Sequence, residues 1–329
     1  MTRNRCSHRG LWLTTAVVGL WSLAPIAAPI TVDNVRSLEG TQRWSTQGIP
    51  VFAAEVSEDG SRIFGTRGHM VTVWDASDGT IRASWPADPG YAAGLALSPD
   101  ESLLATAGSI GAVKIWEAAT GRLIHTLSPG GTHTVDFSPD GTRVASGGSP
   151  GVLHVWDVDS GDVVHEIATG SGTFEVRFSP DGATIATVHG RPDFAVRLWN
   201  AETGEMVWES LVHSGDVHAL AFSPDGSHLA TVDGDGHVYL LDAVTGDRLH
   251  SFVGHQAPLF HVRFITANLL ASADGSGRVR FWNVDERRWL SAVHLFREQV
   301  SALAADPNAE FLVLASFDME MVIVAIPED

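Results

Sequence analysis

The sequence predicts an all-β fold: a seven-bladed β-propeller of four-stranded antiparallel blades, with a strand from the N-terminal end completing the last blade. Three observations predict it. A turn of the type Ser-Pro-Asp-Gly begins at Ser57, Ser98, Ser138, Ser179 and Ser223, with degraded copies at Ile265 and Asp306. Each is followed 17 to 20 residues later by a Trp-Asp-like pair, at Trp74, Trp116, Trp156, Trp199, Leu241, Trp282 and Val324. Successive copies lie 40 to 44 residues apart. A period of this size, closed each time by such a pair, marks four-stranded blades set around a ring.

Taken in chain order, residues 1–28 differ in kind from the rest. Arg3, Arg5 and Arg9 precede an uncharged apolar run, Leu11 to Leu23, and Ala24-Pro25-Ile26-Ala27-Ala28 supplies small residues suited to cleavage. This order is that of a secretory signal peptide, with an uncleaved membrane anchor as the alternative. Export is therefore expected, to a periplasmic or secreted location, with residues 29–329 forming the propeller as a single domain. Cys6 is the only cysteine and would leave with the leader, so neither a disulfide nor a Cys-based metal site is available within one mature chain. That usage is compatible with a bacterial source.

Blade three shows the unit. Thr134-Val135-Asp136-Phe137 alternates polar and apolar, as a half-buried strand does. Ser138-Pro139-Asp140-Gly141 is a tight turn, in which Pro presets φ and Gly accepts positive φ. Arg143 to Ser146, Val152 to Trp156 and Val163 to Ile167 supply the second, third and fourth strands. One such sheet cannot bury both faces, so each blade needs neighbours and the ring must close. The last copy supplies only three strands, Ser301 to Ala304, Phe311 to Ala315 and Met321 to Ala325. Asn34-Val35-Arg36-Ser37-Leu38 resembles the fourth strands Arg122 to Leu127 and Asp247 to Phe252. It is expected to complete blade seven and so remove an open sheet edge.

Over about residues 32–326 these repeats resemble the WD40 repeat family, in an exported, bacterial-type form. The resemblance implies that a His, a Ser or Thr, an Asp and the Trp of a blade form a hydrogen-bonded tetrad. Trp74, Trp116, Trp156, Trp199 and Trp282 are structural on that basis. Blade five offers His213, Thr231 and Asp235, with Leu241 in place of Trp. Blade six offers His255, Ser272 and Trp282, with Ser276 where Asp is expected. Blade four keeps Asp193 and Trp199, with Thr169 at the His position, and blades one to three lack both His and Asp. Tetrads this incomplete imply a ring that leans on apolar packing.

Composition narrows the function. The 329 residues are 44% hydrophobic, ample for a large core. Lys+Arg is 21 against Asp+Glu 39, and loss of the three leader arginines leaves 18 against 39, or −21. A chain this acidic repels phosphate backbones and anionic lipid, so neither nucleic-acid binding nor membrane insertion by the mature chain is expected.

In a propeller, the loops joining strand four to the next blade and strand two to strand three share one face. In the resembled family that face is the usual partner-binding surface. Here it is expected to carry Arg43, Trp44, Arg67, His69, Trp85, Tyr91, His133, His189, Arg191, Phe194, His237, Arg297, Phe317 and Met319. Aromatic residues and Arg dominate binding hot spots. The spacing from Ser179 to Trp199 is 20 residues where other blades have 17 or 18, so His189 to Phe194 is expected to project.

No site chemistry stands out beside this. The loop histidines His69, His133, His189 and His237 show no metal-ligand spacing, and Asp157 to Asp162 lacks the later Glu of a calcium loop. Asp193 and Asp235 read as blade structure. Neither a nucleophile elbow nor a phosphate-cradling glycine loop occurs. The expectation is a non-enzymatic, monomeric scaffold without cofactor or metal that binds a protein or peptide. The alternative is an exported propeller enzyme, hydrolase or lactonase-like, or a small-ligand binder at the channel mouth. Non-repeated polar residues in the channel would favour the alternative. Ala93-Gly94-Leu95-Ala96 and Ala219-Leu220-Ala221 look small and apolar and favour the scaffold.

Overall fold

A computed structural model describes residues 28–110, 112–127, 131–149 and 151–325; the leader falls almost wholly outside them. Twenty-eight strands form seven four-stranded antiparallel sheets, and a single 3-10 turn, Val35–Ser37, is the only helical element among the described residues. The inner strands are Val51–Val56, Ala92–Leu97, Thr132–Phe137, Thr173–Phe178, Val217–Phe222, Leu259–Thr266 and Val300–Ala305. Among the described residues, no helix is long and apolar enough to cross a membrane.

The seam between neighbouring blades is where the core sits. Ala145, Leu153 and Val155 of blade three pack with Val176, Phe178, Ile185 and Trp199 of blade four. Phe64, Val71 and Trp85 of blade one pack in the same way with Leu95, Leu104 and Trp116 of blade two. Burying a side chain of this size contributes about 1.5–3 kcal/mol, so each blade depends on its neighbour.

Ring closure is as expected, but through a different strand. Glu39–Ser45 completes blade seven, running antiparallel to Glu320–Ala325 with Glu39 opposite Ala325 and Ser45 opposite Glu320. Residues 34–38 do not form the strand. Val35 and Leu38 lie three apart, share one face of the 3-10 turn and are buried with Ile30 against blades six and seven, while Arg36 and Ser37 face water. The Asn34 carboxamide fixes that turn, accepting from Thr31 N–H at 2.7 Å and donating to Pro29 O at 2.9 Å.

The two repeated motifs are polar turn locks. In the Ser-x-Asp turns Ser57, Ser98, Ser138, Ser179 and Ser223 donate Oγ–H to the Asp two residues on, at 2.5–2.7 Å. The same Oγ accepts the backbone N–H five residues on, at 2.9–3.0 Å. The residue after each Trp caps the next turn, as Asp157 does by accepting Ser160 N–H at 2.9 Å. That use of Asp157 is an ordinary turn.

A third device repeats around the rim. On five outer strands a ring side chain rests on the positive-φ glycine of the next blade's last turn. Trp44 covers Gly79, Trp85 covers Gly121, His125 covers Gly161, His165 covers Gly204 and Trp208 covers Gly246. A Cβ on Gly79 would lie 2.3 Å from the Trp44 ring, so only glycine admits this stacking.

Candidate functional site

The site is built by a defect repeated in every inner strand. Pairing with the second strand slips by one residue at the same level of each blade, for example between Val51 and Ala53 and between Leu259 and His261. A β-bulge re-aims the unpaired side chain. The seven bulge residues are Phe52, Ala93, His133, Phe174, His218, Phe260 and Ser301, and five of them carry rings. All but Ser301 line the central channel, which has a volume of about 140 Å³.

Two aromatic groups flank the mouth. Phe52 lies 5.3 Å from Tyr91 and 6.1 Å from Phe317, and Tyr91 and Phe317 are 44% and 36% exposed. On the other side His218 lies 5.6 Å from Phe174 and 4.9 Å from Phe260. Burial lowers the pKa of His133 and His218, which keeps both rings neutral at pH 7.

Deeper in the channel the lining turns ionic. Glu175 accepts from Arg177 at 2.6 Å, from Arg263 at 3.3 Å and from Leu220 N–H at 2.8 Å. Arg177 also faces Asp136 at 3.6 Å, and Asp136 accepts Phe178 N–H at 2.8 Å. Glu55 and His261 complete the lining. Burial pushes Asp136 up to about 6 and raises Glu55, against the pull of Arg177 in both. Burial acts on Glu175 in the same sense, but Arg177 and Arg263 outweigh it and hold that carboxyl below its ordinary value. Burial, with Arg263 adding, pushes His261 down to about 4.

The expectation of a small, apolar channel is therefore corrected. Ala93 and Gly94 line it at blade two, His218 at blade five and Ala302 at blade seven, whereas blades one, three, four and six contribute Glu55, Asp136, Glu175, Arg177, His261 and Arg263. The charges are not repeated from blade to blade.

Of the residues assigned to the loop face, His69, Tyr91, Arg191, Arg297 and Phe317 are exposed loop residues there. Tyr91 and Phe317 alone meet, through Phe52. Others lie elsewhere. Arg43 and Trp44 belong to the closing strand, where Arg43 pairs with Glu320. Trp85 is a buried outer-strand residue, 6.4 Å from Trp116. Arg67 ends a strand and donates to Gln47 at 3.2 Å. His133 is a bulge residue bonded to Ser149 at 2.8 Å. His189 is fully buried at the end of a strand. Phe194 folds back against the blade four–five core, so the long loop projects only Arg191 and Pro192. His237 and Met319 are half-buried.

The tetrads are more complete than expected, and their carboxylates differ. In blade six His255 Nδ1 lies 2.6 Å from Asp274 and Nε2 lies 2.7 Å from Ser272, whose Oγ accepts the Trp282 indole N–H at 2.8 Å. Asp274 thus fills the position assigned to Ser276. In blade five Asp233, at 3.0 Å from His213, replaces Asp235, which accepts from Ser214 instead. In blade four His189, not Thr169, bonds Thr187 at 2.8 Å, Trp199 donates to Thr187 at 2.9 Å, and Asp193 pairs with Arg197. Trp116 and Trp156 each donate to one hydroxyl at 2.9 Å, and Trp74 is buried in its seam.

Ser272, His255 and Asp274 share the connectivity of a nucleophilic triad. All three are buried, and the Ser272 oxygen is already engaged by Trp282, so the arrangement is structural. Among the described residues, no group of three or more His, Cys, Asp or Glu is placed to hold a metal ion.

Comparison with known proteins agrees with this architecture. A family model for the anaphase-promoting complex subunit 4 WD40 domain matches residues 203–267, and one for the WD domain, G-beta repeat, matches residues 121–157. These matches support the WD40 repeat family. The WD repeat-containing protein 55 of Bos taurus is 30% identical over 127 residues, which are 38% of this chain and 33% of that protein. The Periodic tryptophan protein 2 homolog of Dictyostelium discoideum is 28% identical over 159 residues, 47% of this chain and 17% of that protein. The Topless-related protein 4 of Arabidopsis thaliana is 29% identical over 118 residues, 33% of this chain and 10% of that protein. The chain thus matches a third or less of the length of these relatives.

Proposed function

We propose that the protein is a non-enzymatic scaffold that binds a protein or peptide segment across the mouth of its channel. One observation carries the reading: Phe317, Phe52 and Tyr91, from blades seven and one and the loop after blade one, form a contiguous, partly exposed aromatic patch at the rim. Aromatic side chains supply most hot-spot energy, and short loops on a closed ring lose little entropy on binding. Similarity to the WD repeat-containing protein 55 supports the scaffold class. The net charge of −18 favours partners of opposite charge through faster encounter. The test compares the full chain with Phe52→Ser and Tyr91→Ser as bait in the exported fraction of its source. A partner held by the parent and lost by both variants is expected; a partner retained by both would remove the rim from the reading.

The channel favours a second reading, a small-ligand binder, because its charges are not repeated between blades and repeated structural residues would be. We further propose export, on the order of residues in the leader. Mass measurement of the chain recovered from its source should give a start at residue 29; an intact residue 1 would refute cleavage.

A further inference from the structure

The geometry points to a cation pocket in the channel, in which Glu55 is the counter-charge for an alkylammonium or alkylguanidinium group that enters past Phe52, Phe174 and Phe260. This rests on the channel reading above and shares only Phe52 with the rim patch.

The balance of charges carries it. Three carboxylates, Glu55, Asp136 and Glu175, meet two guanidinium groups, Arg177 and Arg263. Arg177 is engaged by Glu175 and Asp136, and Arg263 by Glu175 and by Val262 O at 2.9 Å. No described residue hydrogen-bonds the Glu55 carboxyl, although it lines the channel. An incoming anion would meet guanidinium groups already paired and a surplus carboxylate. An incoming monocation would bring the count to three against three. His261 is neutral at pH 7 and adds no opposing charge.

The path to Glu55 fits the same ligand. The negative faces of aromatic rings attract ammonium and guanidinium groups. Glu55 lies three residues below Phe52 on one strand, a depth of roughly 7–10 Å at strand rise. Only a slender stem, of the length carried by lysine or arginine, spans it. The channel volume of about 140 Å³ is close to that of a cavity that holds one benzene-sized group, which limits the ligand to about that size.

Calorimetric titration of the full chain tests this, with n-pentylammonium and n-pentylguanidinium as cations and n-pentanol and pentanoate as neutral and anionic matches. Saturable binding of at least one cation is expected, tighter than pentanol or pentanoate by about tenfold or more. Glu55→Gln, which leaves two carboxylates for two guanidinium groups, should weaken the cation by about tenfold or more and leave melting close to the parent. Phe260→Leu is the second variant and should weaken it severalfold. Gly-Lys-Gly and Gly-Arg-Gly separate the sources: tighter binding than the free amines assigns the pocket to a peptide side chain, and weaker binding to a small molecule. Equal binding of pentanol, preferred binding of pentanoate, parent-like affinity in a folded Glu55→Gln protein, or no saturable cation binding would each overturn the proposal.

Discussion

Replacing Ser272 with Ala removes one oxygen on which two buried groups depend. Ser272 Oγ accepts the Trp282 indole N–H at 2.8 Å and bonds His255 Nε2 at 2.7 Å, and His255 in turn is held to Asp274 at 2.6 Å. All four side chains are buried, so water cannot replace the lost partner. A buried polar group left unsatisfied costs about 1–3 kcal/mol, and two of them give ~2–5 kcal/mol. Thr106→Val in blade two is the matched control, since Trp116 donates to Thr106 at 2.9 Å and no imidazole is involved. Its expected cost is about 1–3 kcal/mol. Urea unfolding should show the blade-six variant losing the more stability at an unchanged slope. Equal losses, or a Ser272→Ala protein within about 0.5 kcal/mol of the parent, would refute the claim that both buried groups depend on that one oxygen.

Trp44→Ala should open the seam between blades seven and one, because the half-buried Trp44 belongs both to the closing strand and to the ring over Gly79; a loss of about 1.5–3 kcal/mol is expected, with hydrogen exchange quickening first in residues 39–45 and 320–325. Gly79→Ala should lose more than about 1 kcal/mol, since its φ is +71° and the new Cβ meets the indole; thermal melting checks it. Stability should be complete above pH 6.5 and fall toward pH 4, because His189 and His261 are held near 4 in the fold, so the unfolded chain binds more protons in that window. Asp136 acts oppositely: its folded pKa of about 6 exceeds the ordinary carboxylate value, so its contribution is lost as pH rises through 6. Two imidazoles outweigh one carboxyl, and a net acid-side loss of ~3 kcal/mol is expected from pH-dependent urea unfolding, flattened by His261→Gln.

The ring was legible because its signature is long-range and repeated. The Ser-x-Asp turns and the Trp-Asp pairs are locks that each blade needs, so they survive at nearly constant spacing. Detail failed where two residues offered the same chemistry. Asp233 and Asp235 flank one loop, and spacing does not say which reaches His213. Residues 34–38 have the composition of an outer strand, yet burial of Val35 and Leu38 on one face favours a 3-10 turn and passes the strand to 39–45. The bulges were hidden because one unpaired residue leaves the alternation around it intact. The channel was misjudged because blades two and five, with Gly94, Ala96, Ala219 and Ala221, were read for all seven. Polar residues such as Asp136 pass in a sequence for the solvent side of a half-buried strand, whereas in a ring that side is the channel.

Photo-crosslinking from a benzophenone side chain placed at position 91, at 317 or at 81 tests the central claim most directly. Positions 91 and 317 lie on the aromatic rim, whereas Ile81 is a comparably exposed residue (41%) on the outer strand of blade one. The account predicts adducts with one partner from 91 and 317 and none from 81. Adducts from 81 alone, or from none of the three, would contradict it.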